Sequence, residues 1–236
     1  MMSFTVMKYK AVFFDVGGTL LRVYPSVGEV YARHARPFGF TGSAADLDSR
    51  FRQEWKRVGG MESLGRSQGQ EVEKKFWSDL IFNVFKVSGG LKDFEDFFEL
   101  VYEAFMDKKC WKIFEDVVDS EILEKLKQDG IALGVISNWD SRLPVILENL
   151  GIARYFDFIL ASTVVGSAKP DSKIFHEALH RSGVSAQEAC HVGDELHSDF
   201  HGARHAGLNA ILIDRKRNHG DNIAPKISSF HELVSA

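Results

Sequence analysis

The feature that most constrains the fold is a short apolar run that ends on an aspartate. Ala11–Phe14 are strand-forming residues, and Asp15, Gly17 and Gly18 follow them closely. A short apolar run bounded by a turn signal is typical of a parallel strand that is buried on both faces. In open α/β sheets, ligands bind at the carboxyl ends of such strands, and glycines let the backbone approach a ligand closely. We therefore interpret Asp15 as a nucleophile at the end of the first strand.

The second half of the chain alternates between strand and helix patterns. From about residue 116 we predict helices over 120–128, 141–150, 172–180 and from 194 to about 206, with a short one near 229–234, and strands over 131–136, 156–160, 189–192 and 208–213. Strands that alternate with helices form right-handed βαβ units and a parallel sheet. The sequence thus predicts a three-layer α/β/α fold that includes the first strand.

An insertion separates the first strand from the rest of the predicted sheet. Four amphipathic helix patterns with aromatic stripes lie between, over 25–34, 46–58, 70–85 and 93–106, and no strong strand pattern interrupts them. We predict a core domain of residues 1–22 and 116–236 and an inserted helical domain of residues 23–115. The aromatic side chains are interpreted as the core of this small bundle.

Composition limits the class of protein. The net charge is −4, which argues against a dedicated nucleic-acid binder, and the basic run Arg215–Arg217 is interpreted as a solvated loop. Cys110 and Cys190 lack metal-site spacing, and Cys190 lies in a predicted buried strand. The first ten residues lack an apolar signal core, and the chain has no run of 18 apolar residues. We expect a soluble, cytoplasmic protein that is not inserted in a membrane.

Polar residues follow several of the predicted strands. Asp15, Ser137 and Asp194 each come at a strand end, Lys169 lies in a loop beyond its strand, and Asp199 follows five residues after Asp194. The carboxyl ends of parallel strands lie at one edge of the sheet, so these groups should converge. Carboxylates that face one another repel unless a cation lies between them, and oxygen ligands are typical of Mg²⁺. The pattern predicts a magnesium site.

The same edge could also bind a phosphoryl group. A lysine and a hydroxyl, Lys169 and Ser137, would hold its oxygens, and the backbone at Gly18 could add N–H donors. Taken singly, these residues have simpler interpretations: Ser137-Asn138 is typical of a turn, Lys169 of a surface, and the aspartates of helix caps. Their joint occurrence on successive strands favours the catalytic interpretation.

Four stretches of the chain resemble the motifs of the haloacid dehalogenase superfamily. They read FFDVGGTLL, VISN, AKPDSKIF and HVGDELHSDFHGARHAG, and they span the predicted sheet domain. The resemblance implies a Rossmann-like core with a helical cap inserted after the first motif, and a hydrolase that uses Mg²⁺ on a small phosphorylated substrate. It implies roles for the following residues: Asp15 as the nucleophile that forms an aspartyl intermediate; Ser137, Asn138, Gly18 and Lys169 at the transferred group; Asp15, Asp194, the Gly17 carbonyl and Asp199, directly or in an outer layer, at the metal.

The chain departs from the family pattern at Gly17. Family phosphatases usually carry there an aspartate that acts as general acid and base, a function that contributes ~10²–10⁴-fold. Three alternatives remain open. The protein is a slow or specialised phosphatase, with an acid supplied by the cap, by Glu195 or by His197, although His197 is interpreted as a solvated helix residue. It is a dehalogenase or phosphonatase, whose families carry an aromatic or a small residue at this position. Or it is a binding or regulatory protein that retains the scaffold and has weak catalytic activity.

The substrate itself is not specified by any motif. Arg22 and Arg66 are candidate anion contacts, with ordinary surface positions as the alternative for both. The sequence carries no signal for an oligomeric state.

Overall fold

The computed structural model describes residues 6–86, 89–220 and 225–234, and within them the first predicted strand lies at the centre of a parallel sheet. The strands are β1 (Ala11–Phe14), β2 (Leu21–Val23), β3 (Trp111–Ile113), β4 (Ala132–Ser137), β5 (Phe158–Ala161), β6 (Ala189–Gly193), β7 (Asn209–Ile213) and β8 (Lys226–Ile227). The sheet order is β5-β4-β1-β6-β7-β8, and every pairing in it is parallel.

The α-helices lie on the two faces of this sheet and in the segment between β2 and β3. They are α1 (Val27–Ala35), α2 (Ala44–Val58), α3 (Gln70–Lys86), α4 (Phe94–Ala104), α5 (Glu115–Ser120), α6 (Ile122–Gln128), α7 (Leu143–Asn149), α8 (Ser162–Val165), α9 (Ser172–Ser182), α10 (Gly202–His205) and α11 (His231–Val234). None of the helices in the described ranges is both long and apolar enough to cross a membrane.

Strand β1 supplies side chains to two separate cores. Val12 and Phe14 pack into one apolar cluster, whereas Ala11 and Phe13 pack into another. Successive side chains of a strand point to opposite faces, so a strand with an apolar core on each side reads as a continuous apolar run. This arrangement confirms the predicted three-layer α/β/α, Rossmann-like fold with a parallel sheet.

Helices α1 to α4 pack around an apolar cluster of their own. Val30, Leu80 and Phe97 are fully buried or nearly so in it, together with aromatic side chains from all four helices. The chain enters these helices through β2 and leaves through β3, which pair antiparallel with Leu21 opposite Ile113. The helices therefore come soon after the carboxyl end of β1.

Several predicted elements differ from those observed. Strand β3 lies within 23–115, where no strong strand was predicted, because three residues are too few to give a periodic pattern. The helix predicted over 120–128 is divided at Glu121, whose φ of 55° ends α5 and begins α6. The helix predicted after Gly193 is π-helical over Leu196–His201 and becomes α-helical only in α10. Local patterns locate these helices but do not show where the backbone breaks.

Candidate active site

The carboxylate of Asp15 lies at the end of β1 and is 7% exposed. Its Oδ1 accepts hydrogen bonds from Ser137 Oγ at 2.9 Å and from Lys169 Nζ at 2.7 Å. Ser137 reaches it because β4 lies beside β1 in parallel register, so both strands end at the same edge. Burial raises the pKa of Asp15, although Lys169 opposes the shift.

The ammonium group of Lys169 is buried and uses all three of its protons. It donates to Asp15, to the Ile136 carbonyl at 2.8 Å and to Asp199. Burial by itself would lower the pKa of Lys169, but Asp15 and Asp199 outweigh burial and raise it, so the lysine stays charged. The side chain is thus held as a fixed positive charge beside the carboxylate of Asp15.

The predicted site residue Asn138 holds the loop that carries this lysine. Its Oδ1 accepts from Lys169 N at 2.7 Å, and its Nδ2 donates to Lys169 O at 2.9 Å. The amide therefore contacts the Lys169 backbone on both sides. Its structural task is to position Lys169.

Asp199 has hydrogen bonds on both carboxylate oxygens. Its Oδ1 accepts from Lys169 and from His191 Nε2 at 3.0 Å, and its Oδ2 accepts from Glu195 N at 3.0 Å. Burial would raise the pKa of Asp199, but Lys169 and His191 outweigh burial and hold it below its ordinary value. Burial lowers the pKa of His191, so the ring is neutral at pH 7 and carries its proton on Nε2.

Asp194 lies under the loop that follows β1. Its Oδ1 accepts from Thr19 Oγ1 at 3.0 Å. Gly18 has a φ of 81°, and a Cβ there would lie 2.2 Å from Asp194 Oδ2, so only glycine fits this loop above the carboxylate. Burial, together with Asp15 and Asp199, raises the pKa of Asp194 to about 8. No described cationic side chain forms an ion pair with it.

The three aspartates fit a divalent cation. Each of Asp15, Asp194 and Asp199 offers an oxygen, and these atoms lie within 4.8 Å of one another. Three carboxylates with the single ammonium of Lys169 carry a net charge of −2 when ionised, which a divalent cation would balance. Carboxylate oxygens are the ligands that Mg²⁺ prefers. Burial and the same uncompensated negative charge together raise the pKa of Asp194.

Gly17 lies beside the ring of Trp139. Its backbone lacks the positive φ of Gly18, and a Cβ added at Gly17 would lie 3.2 Å from Trp139 Cζ3. Trp139 follows Ser137-Asn138 at the end of β4, and sequence reasoning did not single it out. The aromatic ring thus fills the space next to the position where family phosphatases carry their acid.

A cavity of about 770 Å³ opens above these residues. Its floor holds Asp15, Lys169 and Asp194, and its other walls come from helices α1 to α4, from the ribbon of β2 and β3 and from the loop after β4. A volume in this range suits a small molecule. Asp15 therefore faces a partly enclosed space that could hold a small molecule.

The two candidate acids differ in their placement. Glu195 lines the cavity, and burial, together with Asp199, raises its pKa. The side chain of His197 is 74% exposed and lies 3.8 Å from Glu62 at the surface. The position of His197 agrees with the solvated interpretation.

The two candidate arginines differ in their position relative to the cavity. Arg22 lines the cavity, with its Nη2 3.6 Å from Glu115. Arg66 is 77% exposed and pairs with Asp171 at 2.9 Å. Arg22 is therefore the one of the two that could meet a bound substrate.

Arg215 was predicted to lie in a solvated loop, and this was wrong. Its guanidinium donates to the carbonyls of Gly18 and Thr19, at 2.8 Å each, and pairs with Asp116. Arg215 thus holds the loop after β1 from the end of β7, which lies two strands away in the same sheet. A basic run in the sequence gives no signal for a contact across almost two hundred residues.

A buried acid joins the helices to the sheet domain and was also missed. Glu73 of α3 is 1% exposed, and it accepts from Ser141 N at 3.0 Å, from Ser141 Oγ at 2.6 Å and from Thr163 Oγ1. In the sequence, Glu73 reads as one more polar residue of an amphipathic helix.

Arg142 forms a second junction. It pairs with Asp140 at 2.6 Å, donates to the Tyr102 carbonyl and lies over the Tyr102 ring at 3.7 Å. Trp77 of α3 donates to the same Asp140 at 2.7 Å. Together with Glu73, these contacts fix the helices against the loop that follows β4.

Comparison with known proteins places this architecture among hydrolases. A family model described as haloacid dehalogenase-like hydrolase matches residues 9–207. Haloacid dehalogenase-like hydrolase domain-containing protein 3 of Bos taurus is 34% identical over 203 residues, which cover 84% of this chain and 79% of that protein.

Solved structures with the same fold include two differently named enzymes. A HAD phosphatase from Thermococcus onnurineus is 27% identical, with a TM-score of 0.66 over 95% of each chain. A 2-haloacid dehalogenase from Pseudomonas syringae pv. Tomato DC3000 is 26% identical, with a TM-score of 0.63 over 95% of this chain and 96% of that one. Because one fold carries both names, the reaction has to be argued from the site.

Proposed function

Because the chain belongs to the haloacid dehalogenase-like hydrolase family, we propose that it is a Mg²⁺-dependent phosphohydrolase that acts on a small phosphorylated molecule through Asp15. The observation that carries this proposal is the pairing of a nucleophile with a cation site. Asp15 is held by Ser137 and Lys169, and it lies within 4.8 Å of the carboxylates of Asp194 and Asp199 at the floor of the cavity.

The reaction proceeds in two displacements. A carboxylate oxygen of Asp15 attacks phosphorus, a new P–O bond forms, and the ester P–O bond breaks, with its electron pair leaving on the alcohol oxygen. Water then attacks phosphorus, the bond to Asp15 breaks, and orthophosphate departs. Of the two protons of that water, one stays on phosphate and the other passes to solvent, from which the alkoxide takes its proton.

Each neighbouring residue has a task in this scheme. Ser137 and Lys169 bind the phosphoryl oxygens and orient Asp15, and Asp199 holds Lys169 in place. Asp15, Asp194 and the Gly17 carbonyl would hold Mg²⁺, which when bound neutralises charge on the phosphoryl group. The two hydrogen-bonded oxygens of Asp199 suit it to the outer layer of the metal site.

The absence of a side chain at Gly17 shapes the activity. Without an acid there, the departing oxygen leaves unprotonated, so the rate should depend strongly on how stable the leaving anion is. This predicts slow turnover of alkyl phosphates and faster turnover of esters with good leaving groups.

The helical segment 23–115 is proposed to act as the cap of this active site. Its helices line the cavity, and its junctions to the sheet domain run through Glu73, Trp77 and Tyr102. A cap of this kind would exclude water from the phosphoryl group and select the organic part of the substrate.

The direct test is hydrolysis of p-nitrophenyl phosphate by the purified protein. Turnover should require Mg²⁺, stop on chelation and be lost in Asp15→Asn, whereas Asp119→Asn, which removes an exposed carboxylate outside the site, should retain it. If no turnover is measured at any Mg²⁺ concentration, the result favours a binding protein over a phosphohydrolase. If the protein releases halide from a 2-haloacid without metal, the result favours a dehalogenase.

A further inference from the structure

All four tryptophans of the protein line the cavity above Asp15. They come from separate elements: Trp55 from α2, Trp77 from α3, Trp111 from β3 and Trp139 from the loop after β4. Each is only partly buried, although large aromatic side chains gain most from full burial. The cavity thus leaves aromatic surface available to a ligand.

Three further rings connect these tryptophans. Phe51, Tyr31 and Phe105 span the interval from Trp55 to Trp111, with neighbouring ring centroids 5.7 to 6.1 Å apart. We call these three residues and the four tryptophans the aromatic wall. Its two ends are the stacked pair of Trp55 and Trp77, at 5.8 Å, and the pair of Trp111 and Trp139, at 5.1 Å.

The wall reaches the reacting centre at Gly17. Trp139 Cζ3 lies 3.2 Å from the Cβ position of Gly17, which is two residues from the nucleophile. An acid at residue 17 would protonate the leaving oxygen. The ring of Trp139 therefore lies beside the place where the leaving group departs. The organic part of the substrate meets this aromatic ring there, and it meets no proton donor.

A phenolic leaving group satisfies both conditions. A phenol has a pKa near 10, whereas an alcohol resembles water, whose pKa is about 15.7, so a phenolate departs without a general acid far more readily. Its ring also pairs well with aromatic neighbours. We propose that the substrate class is the aryl phosphate, the monophosphate ester of a phenolic hydroxyl, with its ring packed on the aromatic wall beside Trp139. This proposal rests on the phosphohydrolase function above.

Binding of phosphonates tests the proposal independently of leaving-group chemistry. Benzylphosphonate has the shape of phenyl phosphate but cannot be hydrolysed, and cyclohexylmethylphosphonate is its saturated counterpart. Because every tryptophan lies in the cavity, intrinsic fluorescence reports binding there, and calorimetry with Mg²⁺ gives the affinity. We expect quenching by the benzyl compound and an affinity about three- to tenfold above that of the cyclohexyl compound. Methylphosphonate should bind more weakly than both.

Matched variants locate the ring. Trp139→Leu should remove most of the preference for benzyl over cyclohexyl, whereas Phe82→Leu, at an exposed ring on α3 outside the cavity, should keep it. Circular dichroism checks that both variants fold. The comparison of ligands on the unaltered protein stands even where a variant does not fold.

The outcomes separate the substrate class from the function. Equal affinity for the benzyl and cyclohexyl compounds, or for benzylphosphonate and methylphosphonate, overturns the aryl assignment. So does faster turnover of a nucleoside 5′-phosphate than of phenyl phosphate. In all these cases Mg²⁺-dependent hydrolysis of acetyl phosphate, a small substrate with a good leaving group and no ring, leaves the phosphohydrolase function intact. If the protein neither hydrolyses acetyl phosphate nor binds any of the phosphonates, both the aryl phosphate assignment and the phosphohydrolase function are overturned.

Discussion

Replacing Gly17 by aspartate should restore the missing general acid. The backbone at this position has no positive φ, so an L-residue can occupy it without conformational strain. The new side chain would stand two residues from Asp15, in the lining of the cavity. We expect Gly17→Asp to hydrolyse alkyl phosphates faster than the unaltered protein.

The magnitude follows from two opposing contributions. A positioned acid contributes ~10²–10⁴-fold, or about 2.7–5.4 kcal/mol of activation free energy. The new Cβ lies 3.2 Å from Trp139 Cζ3, so the ring must shift by a few tenths of an ångström, at a cost of about 1 kcal/mol in a packed site. The net gain expected for an alkyl phosphate is therefore roughly 10- to 10³-fold.

Gly17→Asn separates the acid from the change of shape. Asparagine has nearly the same size and meets the same ring, but it cannot donate a proton as an acid does. Initial rates on butyl phosphate and p-nitrophenyl phosphate, for all three proteins under saturating Mg²⁺, give the comparison. The ratio of Asp to Asn should be large for the alkyl ester and close to one for the nitrophenyl ester, whose leaving group needs no proton.

Equal alkyl phosphate activity of the Asp and Asn variants would refute this reasoning, provided that both proteins turn over p-nitrophenyl phosphate. The acid would then be supplied elsewhere, and Glu195, which lines the cavity, would be the residue to replace next.

Four further results are expected. In the metal-free protein, the free energy of unfolding should fall as the pH rises from about 4 towards 8, because the pKa of Asp194 is about 8 and the native state keeps a proton that the unfolded chain releases. Asp194→Asn should flatten this pH dependence. In calorimetry, it should also abolish the increase in Tm that Mg²⁺ gives. Gly18→Ala should lose about 1–3 kcal/mol in urea unfolding, because its Cβ meets a carboxylate at 2.2 Å in a positive-φ backbone; a neutral effect would contradict this loop geometry. Glu73→Gln should cost about 1–3 kcal/mol by the same measurement, since a charged acceptor of buried hydrogen bonds is lost, and unchanged stability would mean that the junction is not tight. Cys110 and Cys190 should not react with a thiol reagent at pH 8 until the protein unfolds, since both are buried and burial raises both pKa values, that of Cys190 to about 12; rapid labelling of the native protein would contradict the burial.

The residues at the strand ends could be predicted because their geometry is local. Each strand is a short apolar run, and the polar residue after it must emerge at the carboxyl edge of a parallel sheet. Asp15 and Ser137 are within hydrogen-bond distance of each other for this reason, and Asp194 lies close by, whereas Lys169 reaches Asp15 from the loop that follows α8. The lack of an acidic side chain at Gly17 could be recognised only through the resemblance to the family's first motif, which usually carries an aspartate there.

Contacts between distant segments could not be predicted. Nothing near Arg215 in the chain indicates that it holds the Gly18 and Thr19 carbonyls, and nothing near Glu73 indicates Thr163. These contacts depend on how helices and loops pack after the strands have paired, which no local pattern encodes.

The aromatic residues of the inserted helices show the same division. Their helical spacing indicates an apolar face and predicts that they form the core of a bundle. Phe97, which is fully buried, lies in such a core. Only the tertiary structure decided that Trp55 and Trp77 also face the cavity and that Trp139 lies over Gly17. Periodicity shows which side of a helix avoids water, because burial of apolar surface is what stabilises the helix there. It cannot show whether that side meets other side chains or a ligand, because both remove the same surface from water.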